Sequence, residues 1–405
     1  MSFNWETVPF EELYLVPSRN GVSKPSRVRG SGYKMINMGE LFANDRIFDI
    51  PMELVPLTNS EKINAKVESG DLLFARQSLI ESGAGKCSIV CDVSNLTVFE
   101  SHIIRVRLAK DIADSLFYYY YFKSGVSPIR SIVQHSVQAG IKASDLAKLP
   151  VILPKLSTQR RIASILSALD EKIEVNNKIN DILEQQAQAI FHSWFVDLTP
   201  FGGTVPPDWR TTVLGKVCSC ELGGTPSRAK SEFWNGEIPW INSGEVNLFR
   251  ITRPSETITS LGLSKSATKL LPAKTTVIAI TGATLGQVSL LEIDSCANQS
   301  VVGIIPNDNL PYEYIYPFIK QSIHELISHQ TGGAQQHINK QNVEALSITI
   351  PSDAIIEQYR EITTSLYVMI ANNCFENEHL AEIRDSLLPK LMSGEIDVST
   401  VSLGS

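Results

Sequence analysis

The chain repeats itself once, at an offset of about 200 residues, and this constrains its architecture more than any other feature. Trp5 and Thr7 recur as Trp209 and Thr211. Ile36-Asn37-Met38-Gly39-Glu40 recurs as Ile241-Asn242-Ser243-Gly244-Glu245, and Gly85-Lys86-Cys87 has a weaker echo in Gly286-Gln287-Val288. The stretch from Gln138 to Pro154 recurs as Gln335 to Pro351, with Ile141 and Ile338, and Leu149 and Leu346, in step. Ile162 and Leu166 return as Ile362 and Leu366. Solenoid repeats run ~20–50 residues, so this unit is a whole domain with its connector, used twice. Two similar halves suit a target that itself has two similar halves.

At 405 residues the chain can hold two or three domains with proper cores. Hydrophobic content of 43% and charged content of 20% fit an ordinary soluble globular protein. The apolar runs are too short to span a bilayer and no basic-then-apolar leader follows Met1, so a cytoplasmic location without membrane contact is expected. The cysteines at 87, 91, 218, 220, 296 and 374 form no Cys-x-x-Cys pair and have no His at zinc-ligand spacing, so they read as buried thiols. The net charge of −7 at first argues against a polyanionic target, but residues 351–405 hold 9 acidic side chains against 3 basic ones. The two large domains are near neutral, which leaves room for local basic surface on each.

Each half opens on mixed text. Leu72–Ala75, Ser88–Val90 and His102–Val106 read as strands broken by Gly-rich turns such as Glu81-Ser82-Gly83-Ala84-Gly85. Residues 111–125 read as a helix. The second half follows suit with strands at Thr276–Ile280 and Ser300–Ile305 and a helix over Tyr312–Ser328. This is an α+β plan with β-rich cores.

Long helical segments follow each domain. Ile162, Leu166, Leu169, Ile173, Asn176, Asn180, Leu183, Ala187, Ile190 and Trp194 alternate in steps of four and three. Tyr359, Ile362, Leu366, Met369, Asn373, Glu376, Leu380, Ile383 and Leu387 do the same. Such spacing over four heptads predicts a coiled-coil seam, and ~35 residues at ~1.5 Å each make a rod of ~50 Å. If the helices pair antiparallel with centres aligned, Asn176 meets Asn373 in a polar layer that sets register at some cost in stability. The expected order is therefore a first domain over 1–154, a spacer helix over 155–198, a second domain over 199–351, a second spacer helix over 352–397 and a tail over 398–405.

Several chemistries are missing from the text. No Gly-x-Gly nucleotide loop follows a strand, and no Asn/Asp-Pro-Pro-Tyr/Phe tetrapeptide is present to hold a flipped adenine. Pro206-Pro207-Asp208-Trp209 has the prolines in the wrong order. Gly83-Ala84-Gly85-Lys86 hints at a phosphate loop, but Ile80 replaces its first Gly and Cys87 its Ser/Thr. No metal-binding His pair stands on a helix face, and no nucleophile–base pair is recognisable.

Motifs in order carry a resemblance. They are Gly70-Asp71-Leu72-Leu73-Phe74-Ala75-Arg76; Leu153-Pro154 with Thr158-Gln159-Arg160-Arg161-Ile162-Ala163; Gly223-Gly224-Thr225-Pro226-Ser227; Phe233-Trp234-Asn235-Gly236-Glu237-Ile238-Pro239-Trp240-Ile241; Gly282-Ala283-Thr284-Leu285-Gly286; and Leu387-Leu388-Pro389-Lys390-Leu391-Met392-Ser393-Gly394-Glu395-Ile396. With these, nearly the whole chain resembles the DNA-specificity subunit of a type I restriction-modification enzyme. It departs where Glu357-Gln358-Tyr359-Arg360-Glu361-Ile362 runs one residue longer than the first copy, and where the first helix ends in Phe191-His192-Ser193-Trp194-Phe195. The resemblance implies two β-rich target-recognition domains, each reading one half of a split site in double-stranded DNA, separated by an antiparallel two-helix coiled coil in a pseudo-twofold arrangement. It implies partners: two methyltransferase subunits that carry S-adenosylmethionine and methylate adenine, and restriction/translocase subunits. It implies no catalysis and no cofactor in this chain. A rod of ~50 Å exceeds one ~34 Å duplex turn, so rod length would set the separation of the half-sites. Two other readings stay open from the residues alone: an enzyme with an unrecognised site, and a structural adaptor whose two domains bind protein.

Candidate DNA contacts fall in loops. Between Val16 and Gly39 there is no acid, but Arg19, Lys24, Arg27, Arg29 and Lys34 are present among loop-forming glycines, which suits phosphate contact as well as an ordinary solvated surface. Thr225, Ser227, Arg228 and Lys230 make the matching loop of the second half. Arg76 and Gln77, and Thr281 and Thr284, follow strands in related places; Gln138, and Gln335, Gln336 and His337, precede Ile141 and Ile338. Arg and Gln can read base edges bidentately, and Gln is also common in loops. The aromatic run Phe117–Phe122 reads as domain core.

Overall fold

A computed structural model describes residues 5–93, 95–134, 139–328 and 337–399. The chain divides into two compact units. The first takes the chain up to Lys172 and again from His379; the second takes Ile173–Glu378.

The first unit is built on a five-stranded sheet in the order Tyr14–Asn20, Ile103–Leu108, Leu72–Ala75, Cys87–Val90, Arg46–Ile47. All of Leu72–Ala75 is buried because both faces of the sheet are covered. Leu72 and Phe74 join one core, Leu73 and Ala75 the other, as the period-2 pleat requires. The first core is capped by the helix Ser115–Lys123, where Asp114 accepts from the Phe117 N–H as N-cap and Phe117–Phe122 are all buried. The second lies under a small sheet in the order Glu53–Val55, Tyr33–Ile36, Thr97–Phe99. Glu6–Pro9 pairs antiparallel with Pro150–Leu153 and ties the two ends of the domain together.

The second unit follows a related plan. Its main sheet runs Ser219–Leu222, Val301–Ile305, Thr276–Ala279, Val288–Leu290. A three-stranded sheet runs Glu256–Ile258, Trp234–Ile241, Cys296–Ala297, and Arg210–Val213 pairs with Ser347–Ile350. Ile278 and Val302 face one core, Val277 and Val301 the other. The helix Tyr312–Ser328 has the predicted bounds.

The long helices run Leu156–Phe195 and Asp353–Met392, 40 residues each. In the first unit Ile162, Ala163 and Leu166 share a core with Leu388, Leu391 and Met392, and Arg384 donates to Asp170 at 2.6 Å. In the second, Ala187 clusters with Tyr367, and the Trp194 and Tyr359 rings lie 5.9 Å apart. In each unit one helix's numbering falls as the other's rises, so the segments pack antiparallel.

The polar layer exists in a different register. Asn373 Nδ2 donates to Asn180 Oδ1 at 2.9 Å, and Asn176 Nδ2 donates to Glu376 Oε2 at 2.7 Å and Asn377 Oδ1 at 2.8 Å. Asn373 thus faces a residue one helical turn beyond the expected Asn176. Centred alignment was the wrong premise: aromatic and aliphatic anchors, Trp194 with Tyr359 and Leu166 with Leu388, are what fix the offset.

The seam needs a second correction. Ile162, Leu166 and Leu183 are buried and Leu169 and Ile173 half-buried, but Ile362 and Met369 are 46% and 49% exposed. The buried line on the second helix is Ile356, Tyr359, Thr363, Tyr367 and Ile370; Leu366, Asn373, Ile383 and Leu387 are half-buried. Two successive steps of four follow the 3.6-residue turn of a straight helix, whereas the strict heptad pattern drifts off the packed face. Among the described residues no helix is long and apolar enough to cross a membrane.

Candidate nucleic-acid interface

The basic segment 16–39 of the first unit is more ordered than a loop, because Tyr14–Asn20 and Tyr33–Ile36 are strands. Acids distant in sequence meet its cations. Lys24 donates to Glu61 at 2.9 Å, Arg29 to Glu53 at 2.7 Å and Lys34 to Asp49 at 2.5 Å. Arg19 donates to the Asn64 carbonyl at 2.9 Å. The hydrogen bond from Lys24, with those from the Thr58 backbone and hydroxyl, holds the Glu61 carboxyl below its ordinary range. Exposed Arg27, on the short turn Ser26–Val28, has no hydrogen bond or ion pair among the described residues. Lys24, Arg29 and Lys34 therefore shape the segment; among the described residues no acid meets the charge of Arg19, which bonds only a carbonyl, or of Arg27, which bonds nothing and is the freer to meet an external anion.

A second loop is held by its own backbone. Ala75 N–H donates to the Lys86 carbonyl and Gly85 N–H to the Ala75 carbonyl, at 2.9 and 2.8 Å. Arg130 donates to the Ser82 and Ala84 carbonyls at 2.8 Å and to that of Glu81 at 3.3 Å, clamping the turn. Arg76 lies at the loop's start, half-buried, with its N–H on the His102 carbonyl and its carbonyl accepting from Ile141 N–H. Gln77 pairs with Gly140. At the tip, Leu79 and Ile80 are 88% and 64% exposed. With Gln77, Met38, Phe42 and His102 they line an apolar hollow of about 470 Å³.

These two apolar side chains were missed in the sequence. Ala279 N–H donates to the Gln287 carbonyl and Gly286 N–H to the Ala279 carbonyl, the same anchorage in the second unit. Gly85 lies ten positions after Ala75 and Gly286 seven after Ala279, so the first loop is three longer. The insertion becomes visible once these bonds align the halves.

In the second unit Gly223 and Gly224 lie where no side chain fits. A Cβ would come within 2.1 Å of the Asn298 carbonyl oxygen and 2.5 Å of the Thr268 nitrogen respectively. The chain then emerges into Thr225, which bonds Gln299, and exposed Ser227, Arg228 and Lys230. The Arg228 guanidinium lies 3.7 Å from the Trp234 ring centroid and pairs with both carboxylate oxygens of Glu256, the Nη2–Oε2 contact at 2.8 Å. That hydrogen bonding raises Arg228 and lowers Glu256 from their ordinary values. Lys230 sits 4.9 Å from the Phe233 ring centroid. Arginine and lysine are thus presented on aromatic faces, which limits the ordering needed on contact.

Thr281 bridges to His337 through the backbone, Ile338 N–H donates to the Ile280 carbonyl at 3.0 Å, and the Thr284 hydroxyl donates to the Thr281 carbonyl at 3.3 Å. Arg76 with Ile141 is the matching bond of the first unit, so each unit brings its strand-end loop beside the start of its closing segment. Gln138, Gln335 and Gln336 lie outside the described residues.

A family model described as the type I restriction modification DNA specificity domain matches residues 4–185 and again 206–384. The type I restriction enzyme HindI specificity subunit of Haemophilus influenzae is 28% identical over 326 residues, covering 63% of this chain and 71% of that protein. The type I restriction enzyme MjaIX specificity subunit of Methanocaldococcus jannaschii is 26% identical over 307 residues, covering 72% and 71%. A crystal structure of a type I restriction-modification system S subunit from M. genitalium aligns over 96% of both chains with a TM-score of 0.59 at 15% identity, a likeness of fold. With both halves matched over most of their length, the chain belongs to the type I restriction modification DNA specificity domain family.

Proposed function

We propose that this chain is the DNA-specificity subunit of a type I restriction-modification complex, non-catalytic itself, whose two target-recognition domains, 1–154 and 199–351, each read one part of a bipartite duplex site. The observation that carries this is the family match over both halves. The paired helices, 155–198 and 352–397, act as an antiparallel coiled-coil spacer between pseudo-twofold related readers. Two methyltransferase subunits bind S-adenosylmethionine and methylate adenine, and restriction/translocase subunits complete the assembly.

Each chemical group has a task in this reading. Arg27 meets phosphate, while the three neighbouring ion pairs keep its segment in shape. Arg76, with paired donors, and Gln77, with one donor and one acceptor, can meet base edges bidentately at the base of a rigid loop whose apolar tip, Leu79 and Ile80, suits thymine methyl groups. Lys230, stacked on Phe233, and Thr281 with His337 face DNA from the second domain, while Arg228, held by Trp234 and both oxygens of Glu256, shapes the loop that presents them. The assembled complex should bind a duplex carrying its site with an affinity that falls steeply with salt. Binding that ignores both salt and DNA sequence would instead favour a protein-binding adaptor.

A further inference from the structure

Glu184, on the first long helix, is buried, yet it is the meeting point of two cations. Arg250 Nη2 donates to its Oε2 at 2.7 Å and Lys320 Nζ to its Oε1 at 2.9 Å. Arg250 comes from the recognition domain's own core region, and its side chain is 0% exposed. It also donates to the Phe249 carbonyl at 2.8 Å and the Tyr316 hydroxyl at 3.0 Å. Its guanidinium lies 4.7 Å from the Tyr316 ring centroid and 5.9 Å from that of Tyr367 on the second long helix. Behind it, Glu292 stands 3.5 Å from Arg250 Nε and pairs with Lys274. Burial alone would push the Glu184 carboxyl up, but Arg250 and Lys320 outweigh it and hold it near 2. One arginine of the domain is thereby joined to both long helices.

Apolar contacts could hold a domain on a helix pair, but they are non-directional and tolerate sliding or rocking. A buried ion pair adds little net stability and forbids displacement, since any shift strands a charge without its partner. The first unit is joined differently. There the Tyr120 hydroxyl donates to Asp170 at 2.6 Å, and the Asp170 charge is met by Arg384 of the second long helix. A recognition-domain arginine does reach a helix carboxylate there, Arg46 to Glu171 at 3.7 Å, but that carboxylate is 59% exposed, whereas in the second unit Arg250 and Glu184 are both buried.

We infer that the Arg250–Glu184 pair is a specificity-determining positioning element: it holds the second recognition domain at one setting on the paired helices, and so confines the complex to a single spacer length between the two parts of its DNA site. This rests on the function proposed above. Neither residue is among the candidate DNA contacts, so the half-site sequences should not depend on them.

The test replaces the pair with apolar residues, Arg250→Met with Glu184→Leu, which leaves no buried charge unpaired at that point. The variant is co-expressed with the methylating subunits in cells that lack the native chain, and methylated adenines are mapped by sequencing. Wild type should methylate one spacer length. The double variant should keep both half-site sequences but methylate sites one base pair longer or shorter at least tenfold more often, relative to the main spacer, than wild type does. A single spacer retained, with or without reduced total methylation, overturns the inference. If the double variant gives no methylation, Glu184→Gln, which keeps the side chain's shape and removes its charge from the pair, supplies the reading: relaxed spacing supports the pair's role and strict spacing overturns it. Absence of any bipartite motif that depends on the wild-type chain is a separate result, and it overturns the function on which the inference rests.

Discussion

Of the run of five cations, acids meet Lys24, Arg29 and Lys34 and leave the charges of Arg19 and Arg27 unpaired among the described residues, and this is a matter of strand register. The run contains no acid between Val16 and Gly39, so the sequence reads as open basic surface. Glu53, Glu61 and Asp49 arrive only once the small sheet pairs Tyr33–Ile36 with Glu53–Val55, a contact that spacing along the chain does not encode. The aromatic platforms under Arg228 and Lys230 were hidden for the same reason. Arg27→Ala should therefore weaken DNA binding to all sequences and reduce the slope of log affinity against log salt by about 1. Lys34→Ala should leave that slope nearly unchanged; equal effects from both would show that the ion pairs open on binding. Glu184 gives a pH prediction. Its folded-state value, near 2, lies below the ordinary 4.5, so its contribution is full above pH 4.5 and is lost as pH falls towards 2. The loss is on the order of 3 kcal/mol, and urea unfolding at stepwise lower pH should show a steeper fall for wild type than for Glu184→Gln. Glu292, raised chiefly by burial, acts in the opposite sense and tempers the wild-type slope.

At the scale of elements, the helix Tyr312–Ser328, the strands Leu72–Ala75 and Thr276–Ala279 and the two long helices were legible because periodicity and punctuation are local signals. Which face of the second long helix packs was not. Tyr359, on the predicted seam, is buried, but Thr363 and Tyr367, packed against the domain and the first helix, take the places that the heptad pattern gave to Ile362 and Met369. Tyr367→Ala should cost about 3–5 kcal/mol in denaturant unfolding, as for other large buried aromatics, and Met369→Ala within about 0.5 kcal/mol. The reverse order would restore the heptad seam. The asparagine layer makes a further prediction at this scale. Asn180→Leu with Asn373→Leu should stabilise the chain by on the order of 1 kcal/mol while loosening register; a lowered melting temperature would mean that the layer is a net stabiliser.

At the scale of the whole molecule, duplication was the clearest signal in the sequence, and the family match falls on both halves. The halves differ where a reader of two unlike half-sites should differ. The loop after Ala75 carries three more residues than its counterpart and holds the exposed pair Leu79 and Ile80 at its tip. Leu79→Ala with Ile80→Ala should alter base preference in one half of the recognised motif and leave the other half intact; changes in both halves would place the loop in assembly instead of reading. The most direct test of the central claim is a map of methylated adenines in otherwise identical cells with and without this chain. The account predicts a split motif, two short specified blocks around an unspecified spacer, that vanishes when the chain is removed. A motif that persists without the chain, or a single continuous motif that depends on it, would contradict the account.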